Sequence, residues 1–250
     1  MAEAIGGVGT FTEAPPTTFA QNLFEESVSA KQRLGTIRPL EDGRVFAYAQ
    51  AGEALAAGDL NQAAVPDAYG TELAVVSGTA GEKTMVVTYG AGTTATANYY
   101  KDGFAMPVMV GYGPGHVYKI RGHAAATSGG SLTLYLYDEL RETLTTSSKV
   151  SLIKHVQSGV IQAVATTPTG VVTGVAPIDV TTQYYFWNQV KGICNIKLAG
   201  NAVVGENLVP SGTAGAVMPH AAVTEVVCAY CVRDATDTYG MVAMLAIPGY

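Results

Sequence analysis

Residues 131–137 read Ser-Leu-Thr-Leu-Tyr-Leu-Tyr, with Leu132, Leu134 and Leu136 at every second position and Thr133, Tyr135 and Tyr137 between them. A period of two places the leucines on one face of an extended chain, whereas a helix would scatter them around its axis. The turn-forming Ser128-Gly129-Gly130 precedes this run, and Val117-Tyr118-Lys119-Ile120-Arg121 lies upstream of it. The two segments are therefore expected to pair as an antiparallel hairpin with a longish loop. Segments of the same kind recur at 45–50, 73–76, 84–89, 150–154, 160–165, 171–175, 184–189, 193–198, 225–232 and 241–247, separated by Gly, Pro, Thr and Asn. Such a series predicts an all-β chain of β-sandwich or β-barrel-like modules, with few helices and no alternating βαβ units.

Residues 1–33 differ. The Gly-rich run Ala4-Ile5-Gly6-Gly7-Val8-Gly9 and Pro15-Pro16 lead to Phe19, Leu23, Phe24 and Val28. Those four apolar positions suit one stripe of a short helix capped by Thr17 or Thr18, too small to be stable alone. The expected organisation is an extended N-terminal arm over 1–33, a small β module over 34–82 and a main β domain over 83–250. A weak echo links Phe46-Ala47-Tyr48-Ala49-Gln50-Ala51-Gly52, followed by Gly58-Asp59-Leu60, with Phe186-Trp187-Asn188-Gln189-Val190-Lys191-Gly192, followed by Gly205-Glu206-Asn207-Leu208. It hints at two related β modules.

Composition decides where the apolar surface goes. The chain is 48% hydrophobic and only 14% charged, where a single soluble domain usually carries about a quarter charged residues. Its least charged stretch, 155–177, is broken by Gln157, Gln162, Thr166, Thr167, Pro168, Gly170 and Gly174, so no helical membrane span of about 20 residues is expected. The surface is expected to be hidden against other chains instead. The net charge is -6, and the 14 Lys and Arg never form a basic run, which argues against direct nucleic-acid binding. Three cysteines, an odd number, and the lack of a secretory leader pattern point to synthesis in a reducing cytoplasm.

Few residues suggest chemistry. Cys228-Ala229-Tyr230-Cys231 has the CxxC spacing, but in a strand its thiols would face opposite ways and share no metal. His116, His123, His155 and His220 are far apart, and no GxSxG turn accompanies them. Gly78-Thr79-Ala80-Gly81-Glu82-Lys83-Thr84 has the wrong glycine spacing for a phosphate loop and leads into a strand, so it reads as a turn; Gly111-Tyr112-Gly113-Pro114-Gly115 reads as a tight loop. Tyr99, Tyr100, Tyr112, Tyr135 and Tyr137 would suit a sugar-binding surface, although tyrosine also fills strand faces and subunit interfaces, and that reading is favoured. No catalytic, cofactor-binding or metal-binding residues are expected.

Three stretches carry a resemblance: Tyr118-Lys119-Ile120-Arg121-Gly122-His123, then 128–138, then Leu144-Thr145-Thr146-Ser147-Ser148-Lys149-Val150-Ser151-Leu152-Ile153. Gly174-Val175-Ala176-Pro177, 184–189, 214–217 and, earlier, 31–36 and 42–46 extend it. Together they resemble structural proteins encoded beside the major capsid protein in tailed bacteriophages. The resemblance implies a head decoration, or cement, protein: a homotrimer made in the host cytoplasm, seated on the capsid exterior, with the major capsid protein as partner and no active site. Subunit contacts are expected on the β body, and capsid contacts on the arm at Phe19, Leu23, Phe24 and Val28. The alternative is a virion-displayed fibre or receptor-binding protein recognising host glycans; a third is a β-rich hydrolase using a His and Ser pair.

Overall fold

A computed structural model describes residues 19–107, 115–164, 169–222, 225–233 and 241–247. The expected loop at 111–115 therefore lies outside the described residues apart from Gly115, as do Tyr112 and positions 1–18 of the arm. Among the described residues the regular structure is sixteen strands and one 3₁₀ turn, Ala68–Gly70. The all-β expectation holds, and the strands close into barrels.

Six strands form one barrel in the middle of the chain: β4 (Leu73–Ser77), β5 (Thr84–Thr88), β6 (Phe104–Pro107), β7 (Tyr118–His123), β8 (Ser131–Leu136) and β9 (Lys149–Ile153). They close in the order β4-β5-β8-β7-β6-β9, every pair antiparallel. Leu132, Leu134 and Leu136 all point into the core with Met85, Val87 and Ile120, as the period of two requires. The expected hairpin is present, β7 pairing with β8. Residues 78–83 are the turn from β4 to β5, so positions 82 and 83, between which a module boundary was expected, belong to one hairpin.

The other ten strands are β1 (Ile37–Pro39), β2 (Val45–Ala51), β3 (Leu60–Gln62), β10 (Ser158–Gln162), β11 (Val172–Val175), β12 (Tyr185–Leu198), β13 (Asn207–Pro210), β14 (Ala216–Pro219), β15 (Ala229–Cys231) and β16 (Met241–Ala246). Their pairings close two five-stranded rings, β2-β10-β3-β11-β12 and β12-β14-β13-β15-β16. The rings have identical wiring. In each, the first strand runs parallel to the third and antiparallel to the fifth, and the second lies antiparallel between third and fourth. The fourth and fifth pair antiparallel in both. Residues 147 apart are equivalent: Gln50 and Ala51 pair with β10 as Lys197 and Leu198 pair with β14. Gly58 N–H donates to Ala176 O as Gly205 N–H donates to Cys231 O.

The fifth strand of the first ring is the first strand of the second. At 14 residues, β12 spans about 46 Å at ~3.3 Å per residue, too long for one small barrel. Lys191 pairs with Val45 of β2 and with Ala246 of β16, marking the hand-over. The separate strands expected at 184–189 and 193–198 are thus continuous. Gly192 follows with φ 88°, and a Cβ there would sit 3.0 Å from Arg44 Cα, so any other residue would be both strained and crowded.

The sequence echo is real at its turns, not in its strands. The turns at 56–59 and 203–206 match bond for bond: Ala56 N–H donates to the Asp59 carboxylate (2.6 Å) and Val203 N–H to that of Glu206 (2.9 Å). But β2 is equivalent to residues 192–198, whereas 186–189 of β12 pair with β2 itself.

The helix expected near residues 19–28 is absent from the described part of the arm. Phe19 and Leu23 lie on the aromatic face made by Phe46, Tyr48 and Trp187, while Phe24 and Val28 are 63% and 72% exposed. The cause is a polar anchor: buried Gln21 accepts from Tyr48 Oη (2.6 Å), and its carbonyl accepts from Trp187 Nε1 (3.1 Å). Ser27 then bridges to Tyr185 as a single antiparallel rung.

Candidate functional site

Two features of the surface are candidates. The first is an apolar end of the second five-stranded barrel. Its turn exposes Val203 and Val204, and Tyr230 and Val232 emerge beside it at the end of β15, to which the turn is hydrogen bonded. The equivalent turn of the first barrel carries the small Ala56 and Ala57 and is covered by its own chain: Leu55 bridges to Val180, and the Asp179 carboxylate accepts from Ala57 N–H at 2.8 Å.

The second feature is a pair of clefts where the six-stranded barrel meets the first five-stranded barrel. One, of about 480 Å³, is lined by apolar side chains that include Val65, Pro66, Ile153 and Val171. The other, of about 870 Å³, is polar. Its floor is one rung of the barrel, Tyr185, Gln50 and Ser158, which are direct neighbours across β12, β2 and β10. Its wall is Thr96, Ala97, Asn98, Tyr99, Lys101 and Asp102 beside the six-stranded barrel, and its rim includes 30–34 and Gln183. Lys154 and Ser158 line both clefts.

Lys154 sets the electrostatics between them. Its Nζ lies 4.6 Å from the centre of the Tyr99 ring, and burial lowers its pKa, partly opposed by the charge of Asp67. Asp67 is committed elsewhere: it accepts from the backbone N–H of Tyr69 and Gly70, both at 2.9 Å, and from Tyr100 Oη at 3.0 Å. Burial, reinforced by Tyr89 and Asp67, holds the Tyr100 hydroxyl well above the ordinary tyrosine range. Tyr100 is a core residue. The inner histidines are desolvated too: burial lowers His123, and burial together with Lys119 brings His155 down to about 4.

The sequence candidates are dispersed. Tyr99 lines the polar cleft, Tyr100 is buried, Tyr135 is exposed on β8, and Tyr137 contacts two cleft-lining residues, lying under Arg33 and donating to Asp102; Tyr112 lies outside the described residues. Of the arm positions, Phe19 and Leu23 serve this chain's own core, leaving Phe24 and Val28 outward. Cys228 and Cys231 do not face opposite ways. Both are buried in one cluster with Cys194, because Cys228 precedes the regular strand and escapes its alternation. Burial pushes the Cys194 and Cys228 thiols up to about 12, so neither is a ready nucleophile or metal ligand.

Among the described residues no group of three or more His, Cys, Asp or Glu is arranged to hold a metal, and no helix is long and apolar enough to cross a membrane. No family model, curated protein or solved structure matches the chain. The polar cleft as a whole escaped sequence reasoning because its parts come from five separate segments, and of its lining only Tyr99 stood among the sequence candidates.

Proposed function

We propose that the chain is a virion structural protein: a decoration, or cement, protein that binds the outer surface of a tailed-phage head as a homotrimer and holds neighbouring capsomers together. The observation that carries this reading is the outward valine pair Val203 and Val204, 56% and 63% exposed, with Tyr230 and Val232 beside it. Branched side chains left in water at a barrel end suit a subunit contact, since interface cores are enriched in apolar and aromatic groups and depleted of charge. The low charge of the whole chain, 14%, supports the same reading. In it, the barrel end joins subunits, and Phe24 and Val28 touch the major capsid protein.

The test combines light scattering with co-sedimentation on phage heads lacking the protein. The wild type is expected to be trimeric and to saturate the heads. Val203→Asp with Val204→Asp should give monomers, and Phe24→Asp with Val28→Asp should keep the trimer but lose head binding. A wild-type monomer that leaves the heads bare overturns the proposal.

A further inference from the structure

The polar cleft has properties that shell binding does not need. Four cations, Lys31, Arg33, Lys101 and Lys154, line it against one carboxylate, Asp102. In a chain of net charge -6 this is a local reversal of sign, and a concave site of one sign concentrates ligands of the other. Backbone strain is concentrated there as well. The described non-glycine residues with positive φ are Glu72, Asn98, Asp102 and Gln183, and the last three line the cleft at 63°, 62° and 69°. Such conformations cost of order 1 kcal/mol each and gather at ligand sites.

From these observations we infer that the cleft binds an acidic saccharide, a short sugar chain bearing carboxylates, with Lys154 as the anchor of one carboxylate. Lys154 is suited to anchoring because it is half-buried and packed on Tyr99, and it forms no ion pair among the described residues, since the oxygens of nearby Asp67 are taken by Tyr100 and backbone N–H groups. An anion arriving there restores what burial removed. The rest of the lining fits sugar hydroxyls. Gln50 Nε2 on the floor donates to the backbone carbonyl (3.2 Å) and to the side-chain Oε1 (3.4 Å) of Gln183 on the rim, which holds two amides at the cleft, and Tyr99 and Tyr185 line it as well. A volume of about 870 Å³ falls within the range of roughly 300–1,000 Å³ usual for small-molecule sites.

An acidic peptide fits less well, because the floor strands are already paired on both sides of Gln50, leaving no open edge for strand addition. Nucleic acid fits less well too, since four cations are few for a polyanion that the rest of the chain repels.

The experiment is an NMR titration of the full chain with trigalacturonic acid, its neutral methyl ester, a hexaglutamate peptide and a dT hexamer. The expected result is saturable shifts of the Gln50, Asn98 and Lys154 amides with the acid alone, weakened about tenfold by Lys154→Gln, the loss of one charge-assisted contact. If Lys154→Gln does not fold, Arg33→Gln with Lys101→Gln should weaken binding at least as much. No shift with the acid, equal binding of the ester, or tighter binding of peptide or oligonucleotide overturns the assignment.

Discussion

Replacing Asp59 by alanine, beside the same change at Glu206, isolates what burial adds to one turn. The two residues are equivalent, and each accepts from the backbone N–H three positions earlier. They differ in surroundings. Asp59 is fully buried at the junction of the five-stranded barrels, where it also accepts from Gln162 Nε2 at 2.8 Å and pairs with Lys197. Removing it leaves the Gln162 amide and the Ala56 N–H without their acceptor, while Lys197, 42% exposed, turns back to water. Breaking a buried pair costs about 3–5 kcal/mol, and the exposed lysine argues for the lower end, about 3 kcal/mol. Glu206→Ala loses a single capping bond, about 1 kcal/mol. At ~2–4 °C per kcal/mol for a chain of this size, the midpoints should fall by about 6–12 °C and about 2–4 °C. Thermal unfolding followed by fluorescence of Trp187, the one tryptophan, reads the first barrel directly. Equal losses from the two substitutions would refute the view that the junction, and not the turn, makes Asp59 matter.

Gly192→Ala should destabilise by about 2 kcal/mol or more, since it combines positive φ with a Cβ 3.1 Å from Gly43 O; thermal melts check this, and a neutral effect would mean that β12 passes between barrels without a constrained hinge. Acid should also weaken the fold through His155, whose ring packs over Gly35 and whose pKa is about 4. The unfolded chain, with an ordinary value near 6.5, binds the proton first, so the contribution of His155 is constant above about pH 6.5 and falls by about 3 kcal/mol as the pH drops to about 4. His155→Gln should flatten that slope in urea titrations at pH 7, 5.5 and 4; a slope unchanged from wild type would remove His155 as its source.

The strands with clear alternation were legible, while the short β1, β3, β6, β13 and β14 were not, and of the partnerships only the β7–β8 hairpin was, for a physical reason. Alternation such as Leu132, Leu134 and Leu136 reports which face is buried, a local property. Ring closure depends on register between distant segments, and β2 meets β10 across more than a hundred residues without any local mark. The duplication showed only at its turns, because Gly58-Asp59 and Gly205-Glu206 need a left-handed glycine followed by a carboxylate that reaches back to the turn's N–H, while the strands need only fit their neighbours. The arm misled for the opposite reason: Phe19 and Leu23 stand four apart, as on a helix, but Trp187 and Tyr48 offer Gln21 better partners than a lone helical turn can.

Duplication and insertion together account for where the polar cleft lies. In the second barrel the loop between second and third strands is only residues 211–215, and the rung equivalent to Gln50 and Ser158 is Lys197 and Ala216. There Lys197 turns to Asp59 and seals the two barrels together. In the first barrel the same loop is expanded to residues 63–157 and holds the whole six-stranded barrel. Its 96–102 segment is thereby set opposite a rung that no neighbouring barrel covers. One rung became a joint and its twin became a floor. A ligand site at that place needs no dedicated motif in the sequence, because the two walls are brought face to face by wiring alone.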